Sequence, residues 1–120
     1  MGLVELTSEN FEKEVIQSEL PTLIDFYKDG CGVCDTLAGY LEKLIPEYDG
    51  RVKFTKCNIK ENPQIASRYK IQWPTQIAMA HKDRILGGFP GGKGTSSGQI
   101  ADSMKEDFLR DRINSLLGRI

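Results

Sequence analysis

The chain has 120 residues, 39% of them hydrophobic and 28% charged, which is the composition of a folded domain and excludes a disordered or fibrous chain. Sixteen Lys and Arg stand against seventeen Asp and Glu, a formal net charge of −1, spread without the basic patch that a nucleic-acid or membrane-surface partner needs. No stretch approaches the roughly 18 consecutive apolar residues of a membrane span. Met1 to Thr7 lack the basic-then-apolar pattern of a secretory leader, so the chain reads as cytoplasmic.

Leu3 to Thr7 is a short apolar run with the look of an edge strand. Thr7 or Ser8 then serves as a helix N-cap, and behind Thr7 it is Asn10 that stands where a capping box carries Glu or Gln. Phe11, Val15 and Ile16 recur at helical spacing until Pro21 closes the segment. Thr22-Leu23-Ile24-Asp25-Phe26-Tyr27 is nearly all apolar and reads as a strand covered on both faces, with Asp25 as the anomaly. After the loop Lys28-Asp29-Gly30, Cys31 opens a helical pattern through Cys34, Leu37, Ala38, Leu41, Leu44 and Ile45, weakened locally by Gly39 and Pro46. Val52 to Ile59 predicts a second buried strand, with Val52, Phe54 and Lys56 on one face and Thr55, Cys57 and Ile59 on the other. Asn62 at the N-cap and Pro63 at the first helical position start a short helix through Ile65, Ala66 and Tyr69. Trp73-Pro74 precedes a strand over Thr75 to Ala80, a turn at His81-Lys82-Asp83 and a returning strand over Arg84 to Phe89. Gly87 to Gly98 reads as a glycine-rich loop. Ile100, Met104, Phe108, Ile113, Leu116 and Leu117 pattern a last helix that Gly118 ends. The order β-α-β-α-β-α-β-β-α predicts a single α/β domain over residues 1–120.

Three cysteines are too few for a secreted disulfide scaffold, but two of them form Cys31-Gly32-Val33-Cys34 where a buried strand passes through a loop into a helix. Free N–H groups and the macrodipole at a helix N-terminus favour a thiolate, so Cys31 is the expected nucleophile. Cys34, one turn on, is placed to resolve the mixed disulfide. A metal site is the competing reading of a CxxC. Four zinc ligands would have to come from Cys31, Cys34, Cys57 and His81, which requires a helix start, a strand centre and a hairpin to converge. Cys57 fits better as a small buried hydrophobe and His81 as a solvated turn residue. Gly87 to Lys93 spells GxxxxGK, but Gly94 stands where a phosphate-binding loop needs Ser or Thr. Asp25 in an apolar strand should be desolvated and its pKa raised, which suits a proton acceptor. The plainer alternative has Asp25 capping a loop and Lys56 reaching water.

Here the chain resembles the thioredoxin family over nearly its whole length. The resemblance is carried by Leu23-Ile24-Asp25-Phe26-Tyr27 ahead of the CxxC, by Lys56-Cys57-Asn58-Ile59 and Asn62-Pro63, and by Trp73-Pro74-Thr75. It implies a thioredoxin fold, a central mixed β-sheet flanked by helices on both faces. It implies catalysis by Cys31, Cys34, Asp25 and Lys56 through a redox-active Cys31–Cys34 disulfide, with no metal and no separate cofactor. It also implies a cis peptide bond at Pro74, facing the cysteines, and a substrate-binding rim of Gly30, Gly32, Val33, Trp73, Pro74 and Gly88. The implied partners are disulfide-containing target proteins and a flavoenzyme of the thioredoxin-reductase type, with no nucleic acid and no membrane, for a monomeric protein. Departures from the common Trp-Cys-Gly-Pro-Cys-Lys are Gly30, Val33 and Asp35, and they suggest an atypical reductase and a narrower set of targets. Val33 in place of proline leaves a backbone N–H expected near the Cys31 sulfur, where it would stabilise the thiolate and raise the potential. A redox-inert adaptor on the same fold, and a dedicated oxidant or isomerase, are the alternative functions.

Overall fold

The strand whose sequence is apolar on both sides lies mid-sheet. In the computed structural model, which describes residues 2–90 and 106–120, β2 (Thr22–Tyr27) is buried from Thr22 to Phe26 and centres a five-stranded sheet of order β1-β3-β2-β4-β5. β1 (Val4–Leu6) runs parallel to β3 (Lys53–Asn58), and β3 runs parallel to β2. β4 (Gln76–His81) and β5 (Arg84–Pro90) complete the sheet as an antiparallel pair, β4 lying antiparallel to β2. The sheet is therefore mixed. Two crossovers are helical: α1 (Gly32–Leu44) and α2 (Pro63–Arg68); α3 (Glu106–Leu117) follows β5.

The two-residue period of a strand sends alternate side chains to opposite faces. Leu23, Phe54, Ile77 and Met79 meet Leu37, Leu41 and Leu44 of α1 and Leu109, Ile113 and Leu116 of α3 in one core. Ile24, Phe26, Cys57 and Ala78 pack on the other face with Val15 and with Ile65 and Ala66 of α2. Helices thus cover both faces, as expected, and Asp25 shares the α1 face with Leu23.

Differences from the sequence expectation have local causes. The segment behind Thr7 is a single π-helical turn, Glu12–Ile16. Its N-cap is Phe11, not Thr7 or Ser8, and makes no side-chain cap bond; the reciprocal bonds lie in the turn before it, where Asn10 Oδ1 accepts the Thr7 N–H at 2.8 Å and Thr7 Oγ1 accepts the N–H groups of Glu9 and Asn10 at 3.2 and 3.4 Å. The helix after Cys31 tightens into a 3₁₀ turn at Ile45–Tyr48, where Pro46 lacks the N–H to continue an α-helix. β4 keeps His81 as its last residue, and the hairpin reverses over Lys82 and Asp83, with Lys82 at φ 59°.

Gly87 and Gly88, where the expected returning strand and the expected glycine-rich loop overlap, belong to β5 and face Met79 and Ala78 of β4. A Cβ at Gly88 would stand 2.7 Å from the Ile77 carbonyl oxygen, so the missing side chain lets the strands close. The start of the GxxxxGK pattern is therefore strand, not phosphate-cradling loop. The rest of that pattern, the loop through Gly98, and Ile100 and Met104 lie outside the described residues. No helix among the described residues is long and apolar enough to cross a membrane.

Candidate redox site

β2 ends at Tyr27, and the chain turns through Gly30 at φ 71°, a left-handed conformation that glycine adopts without a Cβ penalty. Cys31 follows as the N-cap of α1, with extended backbone at φ −107° and ψ 102°. It is joined in a disulfide to Cys34, with Cα atoms 5.2 Å apart. The sulfur of Cys31 accepts the Cys34 N–H at 3.2 Å, the place an N-capping oxygen normally takes. Cys31 is partly exposed, whereas Cys34 is 3% exposed. The two sulfurs are therefore unequal before any chemistry: one is reachable at a helix terminus and the other is covered.

In the disulfide form the donor at that sulfur is not Val33. The structure places the N–H of Cys34 against Cys31 Sγ and records no bond from Val33. Replacing Val33 by proline would therefore remove no hydrogen bond to the sulfur of the disulfide form.

Pro74 is also corrected in part. The Trp73–Pro74 bond is trans, since no cis peptide bond occurs among the described residues. The chain bends at Thr75 instead, at φ 71°, and an X–Pro bond favours trans by about 0.5–1 kcal/mol unless its surroundings demand otherwise. Thr75 donates its N–H to the Phe26 carbonyl at 2.8 Å. Because β4 runs antiparallel to β2, its beginning lies beside the end of β2. The Pro74 loop and the CxxC loop thus share one edge of the sheet. Trp73 stands in that loop with 61% of its surface exposed. Gly30 and Gly32 are exposed and Val33 is half-buried at the same edge. Gly88 lies against β4, where its missing side chain has a packing reason.

Asp25 is 1% exposed, and its Oδ1 finds no hydrogen-bond partner among the described residues. It sits mid-strand, so it caps no loop. Burial raises its pKa to about 7, against a smaller downward pull from Lys56. Lys56 lies opposite Asp25 in the β2–β3 register. Yet the ion pair it makes is with Glu5 at 3.8 Å, and its ammonium lies 5.5 Å from the centre of the Tyr27 ring. Glu5 and Tyr27 are neighbours of the site that the sequence alone did not single out. The signal was present as a charge inside the apolar run from Leu3 to Leu6, but its meaning required the strand register.

Cys57 is fully buried on the α2 face, its thiol pushed up to about 12 by burial and then by Glu5, which makes it a core residue and not a third redox group. His81 approaches the Glu19 carbonyl at 3.3 Å, at the end of β4 remote from Pro74. No cluster of three or more His, Cys, Asp or Glu side chains that could hold a metal occurs among the described residues.

A disulfide at the N-terminus of a helix, on a mixed sheet covered on both faces, defines a dithiol–disulfide oxidoreductase. The thioredoxin family model matches residues 2–106. The chain is 34% identical over 111 residues to a thioredoxin of Buchnera aphidicola subsp. Schizaphis graminum, covering 92% of this chain and 96% of that one. It is 43% identical over 94 residues to a thioredoxin of Rickettsia felis, covering 68% and 90% of the two chains. A thioredoxin of Thiocapsa roseopersicina is 36% identical over 84 residues, which is 70% of this chain and 92% of the other. The chain belongs to the thioredoxin family. Its Cys31–Cys34 pair performs thiol–disulfide oxidoreduction, and the redox-inert adaptor reading falls.

Proposed function

We propose that the protein reduces disulfides of target proteins with Cys31 as nucleophile and Cys34 as resolving thiol, assisted by Asp25 and Lys56. The observation that carries this reading is the N-cap position of Cys31, with the Cys34 N–H on its sulfur and only Cys34 covered. In the reduced protein the same N–H and the helix terminus favour a Cys31 thiolate. That thiolate attacks one sulfur of a target disulfide, forms the mixed disulfide and releases the other target sulfur as thiolate. Cys34 passes its proton to the Asp25 carboxylate and attacks Cys31. The Cys31–Cys34 bond forms, the second target thiolate leaves, and two electrons have moved to the target.

Gly30, Gly32, Val33, Trp73, Pro74 and Gly88 form the proposed rim against which the target lies. A flavoenzyme of the thioredoxin-reductase type returns the electrons, and Gly30, Val33 and Asp35 suit an atypical one. The protein acts in the cytoplasm as a monomeric single domain over residues 1–120, with no metal and no cofactor beyond its own disulfide.

Cys34→Ser should accumulate mixed disulfides with targets, resolved on non-reducing gels, and Cys31→Ser should not. Faster alkylation of Cys34 than of Cys31 in the reduced protein at neutral pH would reverse the assignment.

A further inference from the structure

Beside Asp25, on the face of the sheet that α1 covers, three polar side chains from three strands touch one another. β1, β3 and β2 place Glu5, Lys56 and Asp25 in one row of the register. Tyr27, two residues beyond Asp25, points to the same face. Its hydroxyl donates to the Glu5 carboxylate, 2.7 and 2.8 Å from the two oxygens. Burial first, and then the bond to Glu5, raise the Tyr27 pKa well beyond its usual value, so the phenol remains a donor through neutral pH. Glu5 in turn holds Lys56 at 3.8 Å, while the Lys56 ammonium rests over the Tyr27 ring.

Lys56 is thus shared by two carboxyl groups and makes its ion pair with the outer one. From β4, the residue opposite Asp25 is the apolar Ile77. From α1, Cys34 is buried and held in the disulfide, and Asp35 is exposed. Lys56 is therefore the cation whose position governs Asp25.

We propose that Glu5, anchored by the Tyr27 hydroxyl, is a positioning residue that draws the Lys56 ammonium outward, so that Asp25 keeps its proton to a higher pH than it would facing an undivided Lys56. The consequence rests on Asp25 serving as the proton acceptor for Cys34: Glu5 then sets the pH range in which resolution is fast. Glu5 touches neither cysteine and acts only through Lys56.

The test is a carbon-13 carboxyl titration of Asp25 in the oxidised protein, where Cys31 and Cys34 carry no titrating thiol. Glu5→Gln should lower the Asp25 midpoint by roughly half a pH unit, the size expected when a shared cation is released to a single partner. Lys56→Met should raise it. In the Lys56→Met background, Glu5→Gln should move the midpoint by less than half of its effect in the native protein. An unmoved midpoint in Glu5→Gln, or an equal shift with and without Lys56, would overturn the proposal. The titration reads this coupling whether or not Asp25 transfers protons in turnover. The rate of mixed-disulfide resolution in Asp25→Asn tests that role separately.

Discussion

Asp25 is a carboxyl group placed where its charged form is disfavoured, and the consequence is measurable without any substrate. Its pKa rises from 3.8 to about 7, mainly through burial. Below about pH 4 the group is protonated both folded and unfolded, and burial of the neutral acid is tolerated. As pH rises toward 7 the unfolded chain ionises while the folded one does not, so stability falls across that window, by about 4 kcal/mol for a shift of this size. Above pH 7 both states are ionised and the loss is complete. Asp25→Asn should therefore flatten the pH dependence between 4 and 7 and make the oxidised protein more stable at pH 8. Urea unfolding of both proteins at several pH values checks this, and parallel curves would show that Asp25 is better solvated than its burial indicates. The Asp25 anomaly was legible as one acid in an apolar strand. Its relation to Glu5 was not, because pairing between β1 and β3 joins residues some fifty apart and leaves no short-range pattern.

At the level of elements, the CxxC was the best-specified part of the sequence. A buried strand, a short loop with Gly30 and a long helical period leave little freedom in where Cys31 falls. The less legible elements are those where backbone geometry overrides composition. Gly87 and Gly88 read equally as the end of a strand and the start of a loop, and β4 approaches Gly88 so closely that only glycine completes the pairing. Gly88→Ala should destabilise the protein by about 1–3 kcal/mol, because the Cβ meets the fixed Ile77 carbonyl oxygen at 2.7 Å and the strand must shift. The urea midpoint reads that loss. If instead stability holds and only the apparent KM for a protein disulfide rises, Gly88 acts through substrate contact and the packing explanation is wrong. The trans bond before Pro74 belongs to the same class of misreading. The resemblance supplied an isomer, whereas the bend of this chain lies one residue later, at Thr75.

At the scale of the whole molecule, one edge of the sheet brings the CxxC loop and the Pro74 loop together. The end of β2 delivers Cys31, and the beginning of β4 delivers Trp73 and Pro74, held to β2 by the bond from Thr75 to Phe26. The rest of the fold fixes that edge from both faces. α1 and α3 close one core, with Tyr48 donating to Asn114 at 2.8 Å and Arg110 binding both Glu47 oxygens at 2.8 Å. Trp73 is the most exposed of the large apolar side chains among the described residues, at 61%, while Gly30 stands where the common thioredoxin CxxC loop carries its aromatic before the first cysteine. An exposed tryptophan beside a reactive disulfide buries apolar area only when a macromolecular target docks, and such residues often dominate binding energy. Trp73→Ala should thus lower kcat/KM for insulin reduction about tenfold. Turnover of a small aromatic disulfide should stay within about twofold, and stability within about 0.5 kcal/mol, because the side chain packs little in the free protein. An equal loss on both substrates would mean that Trp73 acts on the cysteines themselves, and no loss on either would remove it from the docking rim.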